Sequence, residues 1–396
     1  MEYNIVKYAN IGKVKSGKRL PKGEVVSEII SNNKYIRVRD INGNAINPND
    51  VQYITDDASE KIRNYRVKTS DIIISVVGTV GSIAEIPNKL DGAYLTENCD
   101  NLLVDENICL KKYLKHYLIS KYGQEQVIAN TVGSTQPKLP IYGIENFDII
   151  LPNIYIQNKI VKILEAFDNK ILINNQTNDN LFKFAISYIN NKIEETEVPI
   201  SKFAKIQGGY AFKSKDLLDD KTNNRIIKIK NLRSEINADV VNSQYVEDEV
   251  ANSIDSKFKL NKGDVTIAMT GAELGKTGFI YGFDNYYLNQ RVGVIRGKNK
   301  EGELYLKILF LSNEFQTLLN SKGYGSAQPN ISTNDIESIL INDIAEENLK
   351  DIYERLNSVY YRIISNCEEN LNLEQLRDTL LPKLMNGEID LDKIEI

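Results

Sequence analysis

Gly133-Ser134-Thr135-Gln136-Pro137-Lys138 returns 192 positions later as Gly325-Ser326-Ala327-Gln328-Pro329-Asn330. Each copy leads through an irregular stretch into a long apolar-periodic segment. The match extends backwards. Ile11-Gly12-Lys13-Val14-Lys15-Ser16-Gly17 resembles Phe203-Ala204-Lys205-Ile206-Gln207-Gly208-Gly209, and Ile36-Arg37-Val38-Arg39-Asp40-Ile41 resembles Ile227-Lys228-Ile229-Lys230-Asn231-Leu232. A unit this long is no solenoid repeat. It predicts two similar domains able to do similar jobs at two places.

Each copy reads as a strand-rich mixed domain. Lys34–Asp40, Asp71–Val77, Ser82–Ile86 and Asn101–Val104 are short β-branched runs bounded by Asn, Gly and Asp, and Leu110–Thr131 is the most helical part. The second copy repeats the plan with strands at Arg225–Ile229, Val265–Thr270 and Tyr287–Arg296 and a helix at Tyr305–Asn320.

Between the copies the pattern changes. Ile160, Leu164, Phe167, Ile171, Leu181, Ala185 and Tyr188 fall at alternating steps of three and four, with Asn174 and Asn178 at the intervening seam positions. Pro152 marks the start and no Gly or Pro follows until Pro199. About 39 residues at ~1.5 Å each predict a rod of roughly 58 Å. After the second copy, Ile352, Leu356, Val359, Ile363, Leu373, Leu376 and Leu380 repeat the seam, Asn366 and Asn370 take the polar positions, and Pro382 and Gly387 end it. Either rod alone exposes an apolar stripe, so each needs a partner. The economical partner is the other rod, packed antiparallel. The expected fold is α+β: two similar β-rich α/β domains separated by an antiparallel coiled coil of two long helices, with pseudo-two-fold symmetry. Asn174 is then expected to meet Asn370, and Asn178 to meet Asn366. Replacing Asn174 and Asn178 by leucine is expected to raise stability and loosen register.

Composition narrows the function. A single histidine, His116, removes most hydrolytic triads and His-ligated metal sites, although carboxylate and Mg²⁺ chemistry needs none. Cys99, Cys109 and Cys367 form no metal-type pair and read as reduced thiols of a cytoplasmic protein. No apolar run nears 18 residues, so no membrane span is expected. Met1 to Asn10 lacks a basic-then-apolar signal pattern. The net charge is −5, but residues 343–396 alone hold 6 basic and 13 acidic residues, leaving the domains near neutral with many Lys and Arg.

Gly271-Ala272-Glu273-Leu274-Gly275-Lys276-Thr277 imitates a phosphate-binding loop but has three residues between its glycines instead of four. Its counterpart Gly78-Thr79-Val80-Gly81-Ser82 has no lysine. These glycines read better as tight exposed loops after a strand. No cofactor fingerprint for a methyl donor and no Asn-Pro-Pro-aromatic tetrapeptide is present. Basic and aromatic residues gather elsewhere: Lys13, Lys15, Lys18, Arg19 and Lys22 around Gly17 and Pro21, and Tyr210, Phe212, Lys213 and Lys215 in the second copy. Lys and Arg contact phosphates, while Arg, Asn, Gln and Thr read base edges. Two scaffolds with different loops would read two different sequences.

Gly133 to Pro137, then Leu151-Pro152, then Gln157-Asn158-Lys159-Ile160-Val161-Lys162-Ile163-Leu164 and Asp168-Asn169-Lys170-Ile171, resembles the first conserved region of type I restriction–modification specificity subunits. The second copy keeps Gly325 to Pro329, and its closing Leu380-Leu381-Pro382-Lys383-Leu384-Met385-Asn386-Gly387-Glu388-Ile389 resembles that family's usual C-terminal stop. Ile344-Ala345-Glu346-Glu347-Asn348 departs from the Leu-Pro and Gln-Lys-Ile entry. The resemblance implies target recognition domain 1 at 1–151, a long helix at 152–197, target recognition domain 2 at 198–342, and a second long helix with tail at 343–396. It implies a sequence-specific subunit that is not itself an enzyme and holds no cofactor or metal. Each domain would read half of a bipartite site in double-stranded DNA, the helices setting the spacing. Lengthening both by whole turns would then lengthen the tolerated spacer. Partners would be modification (methyltransferase) subunits docked on the helices and restriction (translocase/nuclease) subunits joining the complex.

The loop positions expected to meet DNA are Lys18, Arg19, Lys22, Arg37, Arg39, Thr79, Asn98, Ser134, Thr135, Gln136 and Lys138 in the first copy. In the second they are Tyr210, Lys213, Lys215, Lys228, Lys230, Arg233, Lys276, Gln290, Arg291, Ser326 and Gln328. Two other classes stay open on residues alone: a degenerate nuclease or methyltransferase, separable by assays with labelled methyl donor or Mg²⁺, and a protein-only scaffold, separable by a gel shift on random duplex.

Overall fold

The computed structural model describes residues 4–232, 236–322, 330–389 and 391. The chain forms two compact units, Met1–Asn169 with Glu374–Ile396, and Lys170–Leu373. Each contains one α+β domain and a stretch of both long helices.

In the first unit, Gly12–Ser16, Cys99–Val104, Ile72–Ser75 and Ile83–Glu85 form an antiparallel sheet in that spatial order. In the second unit the order is Ala204–Gly208, Val292–Gly297, Val265–Ala268 and Thr277–Phe279, again antiparallel. The central strands Ile72–Ser75 and Val265–Ala268 are buried at every position. That explains their mostly apolar runs, broken only by the buried, hydrogen-bonded Ser75 and Thr266, since a strand covered on both faces needs no alternation. A smaller parallel pairing follows in each unit: Tyr35–Ile36 with Tyr94–Leu95, and Asn224–Ile227 with Tyr286–Leu288. Each domain is tied shut where it begins and ends. Asn4–Lys7 pairs with Asp148–Leu151, and Glu197–Pro199 with Leu340–Asn342.

Several elements are shorter than their sequence patterns predict. The Leu110–Thr131 pattern is two helices, Lys111–Ile119 and Lys121–Asn130. Ser120 breaks it: its hydroxyl accepts the Gly123 N–H and donates to the Tyr117 carbonyl. An N-cap of this kind starts a new helix instead of continuing the old one. Ser312 does the same between Lys300–Phe310 and Asn313–Lys322, accepting from the Phe315 N–H. Tyr287–Arg296 is two strands, Tyr286–Leu288 and Val292–Gly297, parted by a turn at Asn289–Arg291.

The long helices run Ile154–Asn190, 37 residues, and Glu346–Met385, 40 residues. Pro382 lies inside the second one and does not end it. In the final turn its missing N–H forfeits a single hydrogen bond, and the Asn386 N–H still bonds the Pro382 carbonyl. In the first unit the start of one helix (Ile156, Ile160, Leu164) shares a core with the end of the other (Leu381, Leu384, Met385). In the second unit the pairing is reversed, with Ala185 and Ile189 against Leu349, Ile352 and Leu356. Start meets end in each unit, so the packing is antiparallel.

His116 lies in the first unit, buried on Lys111–Ile119. Burial, reinforced by Lys115 and opposed by Asp168, pushes its pKa down to about 4, with smaller depressions from Arg377 and Lys112. An unfolded histidine titrates near 6.5. The folded value is depressed, so the stability His116 contributes is complete above pH ~6.5 and is lost as pH falls toward 4. His116→Gln is expected to flatten the loss of urea midpoint between pH 6.5 and 4.5. An equally steep loss in the variant would rule this group out as its source.

Candidate nucleic-acid interface

Three loops meet at one end of the central strand in each unit. In the first, the Gly17 N–H donates to the Cys99 carbonyl (3.0 Å), Lys18 N–H to Leu95 (2.8 Å), Val76 N–H to Asn98 (2.8 Å) and Leu139 N–H to Val76 (2.9 Å). Val132 and Lys138 exchange both backbone bonds, at 2.8 and 2.9 Å, and close a hairpin with residues 133–137 exposed at its tip. These bonds gather Lys18, its neighbour Arg19, Asn98, Lys138 and the hairpin carrying Ser134–Gln136 into one strip. The second unit repeats the weave: Gly209 N–H to Val292 (3.1 Å), Tyr210 N–H to Leu288 (2.8 Å), Met269 N–H to Arg291 (3.1 Å) and Ile331 N–H to Met269 (3.0 Å). Tyr210, Gln290, Arg291 and the Gly271–Gly275 loop are thereby drawn together. Arg233, Ser326 and Gln328 lie outside the described residues.

A buried carboxylate anchors the far end of each central strand. Asp71 accepts from Lys111 Nζ (3.0 Å) and Asn101 Nδ2 (2.8 Å). Burial works to raise its pKa, but the Lys68 N–H, Lys111 and Asn101 outweigh it and hold the carboxyl below its usual value. Asp264 takes the same place, bound by Arg296 (2.7 Å) with Lys307 at 3.7 Å. A strand end clamped this way fixes where its opposite end presents the loop. Nothing in the sequence spacing singled out Asp71 or Asp264.

The candidate side chains differ in how free they are. Lys18, Lys22, Arg39, Thr79, Ser134, Thr135, Gln136, Lys138, Lys213, Lys215, Lys230, Gln290 and Arg291 are exposed. Arg19 is exposed too but pairs with Glu97 at 2.5 Å. Lys276 is held by Glu273, which limits it as a phosphate ligand. Arg37 is mostly buried and bonds Asp40 (3.1 Å) and Gln52 (2.7 Å), and Lys228 bonds Gln244. Tyr210 is half-buried, edge-on to Phe212 (5.0 Å) and Phe258 (5.5 Å), so much of its ring serves packing. Asn98 is half-buried.

On the long helices, Ile160, Leu164, Ile352, Leu356, Ile363 and all four seam asparagines are buried, while Phe167, Ile171, Leu181, Val359 and Leu373 are partly covered. Leu376 is exposed, and Leu371 is buried instead. Asn174 Nδ2 donates to Asn370 Oδ1, and Asn366 Nδ2 to Asn178 Oδ1, both at 2.8 Å. Four residues forward on one helix is four back on the other, the register of an antiparallel pair. Asn174 also bonds Glu369 (2.9 Å), and Asn370 Nδ2 bonds Asn175 (2.8 Å).

The sequence pattern of the type I restriction modification DNA specificity domain matches residues 1–182 and again 193–375. The chain belongs to this family. Among its specificity-subunit relatives is the type I restriction enzyme MjaIX specificity subunit of Methanocaldococcus jannaschii, 22% identical over 350 residues that cover 82% of this chain and 78% of the relative. The HindI specificity subunit of Haemophilus influenzae is 22% identical over 400 residues, covering 82% and 87%. In fold, the chain is similar to the type I restriction-modification S subunit from M. genitalium, with a TM-score of 0.53, 16% identity and coverage of 97% and 96% of the two chains. Among the described residues no helix of this specificity-family member is long and apolar enough to cross a membrane.

Proposed function

We propose that this chain reads a bipartite site in duplex DNA, one domain per half-site, and leaves the chemistry to methyltransferase partners in the cytoplasm. Its recognition domains span 1–151 and 198–342, with helical segments at 152–197 and 343–396. The observation that carries the reading is a constant frame with changing side chains. The same four backbone bonds weave the loops in both units, yet Lys18 is replaced by Tyr210 and Asn98 by Arg291. Scaffolds that keep their hydrogen bonds and vary their exposed groups suit readout of different base sequences. The exposed loop cations Lys18, Lys22, Arg39 and Lys138 of the first copy and Lys213, Lys215, Lys230 and Arg291 of the second supply phosphate contacts, and restriction subunits join through the assembled complex.

The test is methylome sequencing of a host carrying this gene with its own modification gene. A motif of two defined halves and an undefined spacer is expected. One uninterrupted motif, or none, would sink the reading. Exposed apolar groups on the first long helix support docking of a methyltransferase: Leu172 and Ile173 are each more than half exposed. Leu172→Asp with Ile173→Asp is expected to weaken co-purification of the methyltransferase at least tenfold with little change in melting temperature. Undiminished co-purification would move the docking surface elsewhere.

A further inference from the structure

A hydrogen-bonded chain of cation, glutamine and carboxylate recurs at the same place in both units. Backbone bridges set it up. Ser27 pairs antiparallel with Tyr53, and Leu218 with Tyr245, each by two backbone bonds of 2.8 or 2.9 Å. One step from each bridge, Glu28 lies opposite Gln52, and Asp219 opposite Gln244. Residues directly opposite in an antiparallel pair project to the same face. Gln52 Oε1 accepts from Arg37 Nη1 (2.7 Å) and Arg39 Nη2 (3.1 Å), and its Nε2 donates toward Glu28 (3.5 Å). Gln244 Oε1 accepts from Lys228 Nζ, and its Nε2 donates to Asp219 Oδ1 (2.9 Å).

The neighbours fix each amide's orientation. A guanidinium or ammonium only donates and a carboxylate only accepts, so the oxygen must face the cation and the nitrogen the acid. What remains free follows by counting. An amide oxygen accepts two bonds and its nitrogen donates two. Gln52 has both acceptor places filled and one N–H left, beside an exposed Arg39 with further donors. Gln244 has one acceptor place and one N–H left, side by side. A carboxylate in each chain disfavours an anionic phosphate as the ligand. A neutral base edge carries no such penalty.

We propose that Gln52 and Gln244 are base-reading residues, Gln52 with Arg39 taking the acceptor edge of a guanine and Gln244 the donor–acceptor edge of an adenine. Guanine offers O6 and N7 acceptors in the major groove, and adenine an N6–H donor beside the N7 acceptor. The proposal rests on the DNA-reading function above. Because the amides are held before DNA arrives, little side-chain entropy is lost on contact.

The test compares methylomes of the full chain, co-expressed with its modification subunits, for wild type, Gln52→Ala and Gln244→Ala, with melting temperatures of the purified proteins. Gln52→Ala is expected to relax a single G·C position in one half-site, discrimination there falling about 5- to 140-fold. Gln244→Ala is expected to relax one A·T position in the other half. Unaltered motifs in both variants would overturn the proposal while leaving the bipartite reading intact. So would a uniform loss across a whole half-site with a lowered melting temperature, which marks the glutamines as structural ties. A wild-type methylome without two halves would overturn the underlying reading, and the assignment of both glutamines with it.

Discussion

Gly17→Ala is expected to lower the melting temperature by about 6–12 °C, from a cost of about 3 kcal/mol at 2–4 °C per kcal/mol for a unit of this size. A β-carbon on Gly17 would stand 1.9 Å from the Thr96 carbonyl oxygen and 2.6 Å from that of Leu95. These are backbone atoms of the adjoining turn and strand end, so no rotamer change relieves the overlap. The crossing cannot simply widen, because Gly17 and Lys18 each donate a backbone bond to that segment. Gly209 meets the same constraint, its added carbon falling 2.1 Å from the Asn289 carbonyl. Gly209→Ala should therefore cost a similar amount in the second unit. Calorimetry of both variants decides the matter, and melting within 2 °C of wild type would show that the crossing yields. Gly17 and Gly209 are thus the hinge-points from which the variable loops leave a common frame. Alanine there should also weaken DNA recognition by misplacing Lys18 or Tyr210.

The second large effect concerns the polar seam. Asn366→Leu leaves Asn178 Oδ1 buried without its 2.8 Å donor, at an expected cost of about 1–3 kcal/mol. Replacing both partners, Asn178→Leu with Asn366→Leu, removes the orphan as well as the bond and should recover most of that loss or exceed it. The cycle should show a coupling of about 1–3 kcal/mol between the two sites. Additive losses in urea titration would mean that the amides act independently. The geometry also redirects the expectation drawn from periodicity for one helix alone. Asn174→Leu with Asn178→Leu strands Asn370 and Asn366 on the facing helix and strips a bond from Glu369. That variant should fall in stability, whereas leucines placed on both helices should not.

How far the residues could be read depends on the range of the interaction behind each feature. The duplicated frame around Gly17 and Gly209 and the three-and-four spacing of Ile160 to Ile171 are local patterns, legible without coordinates. Helix breaks at Ser120 and Ser312 are also local, but a single capping hydroxyl is a weak signal inside a continuing apolar period. The state of the cations was not legible. Arg37 and Arg39 stand two apart in one short basic run, yet Arg37 is locked onto Asp40 and Gln52 while most of Arg39 faces solvent. Gln52 and Gln244 are not legible in the sequence, because an isolated glutamine carries no pattern.

From residues alone came the duplication, two β-rich domains, two long helices with asparagines in their seam, and membership of the specificity family as a resemblance. Each follows from periods and spacings that repeated side chains impose on a backbone whose geometry is fixed. Folding decided which loops share a surface, which charges are free, and which amide finds which partner. Lys18, Asn98 and Lys138 are far apart in sequence, and only the backbone bonds through Cys99, Val76 and Leu139 bring them into one strip. Such bonds join groups whose separation along the chain is set by the intervening fold, so no local spacing encodes them.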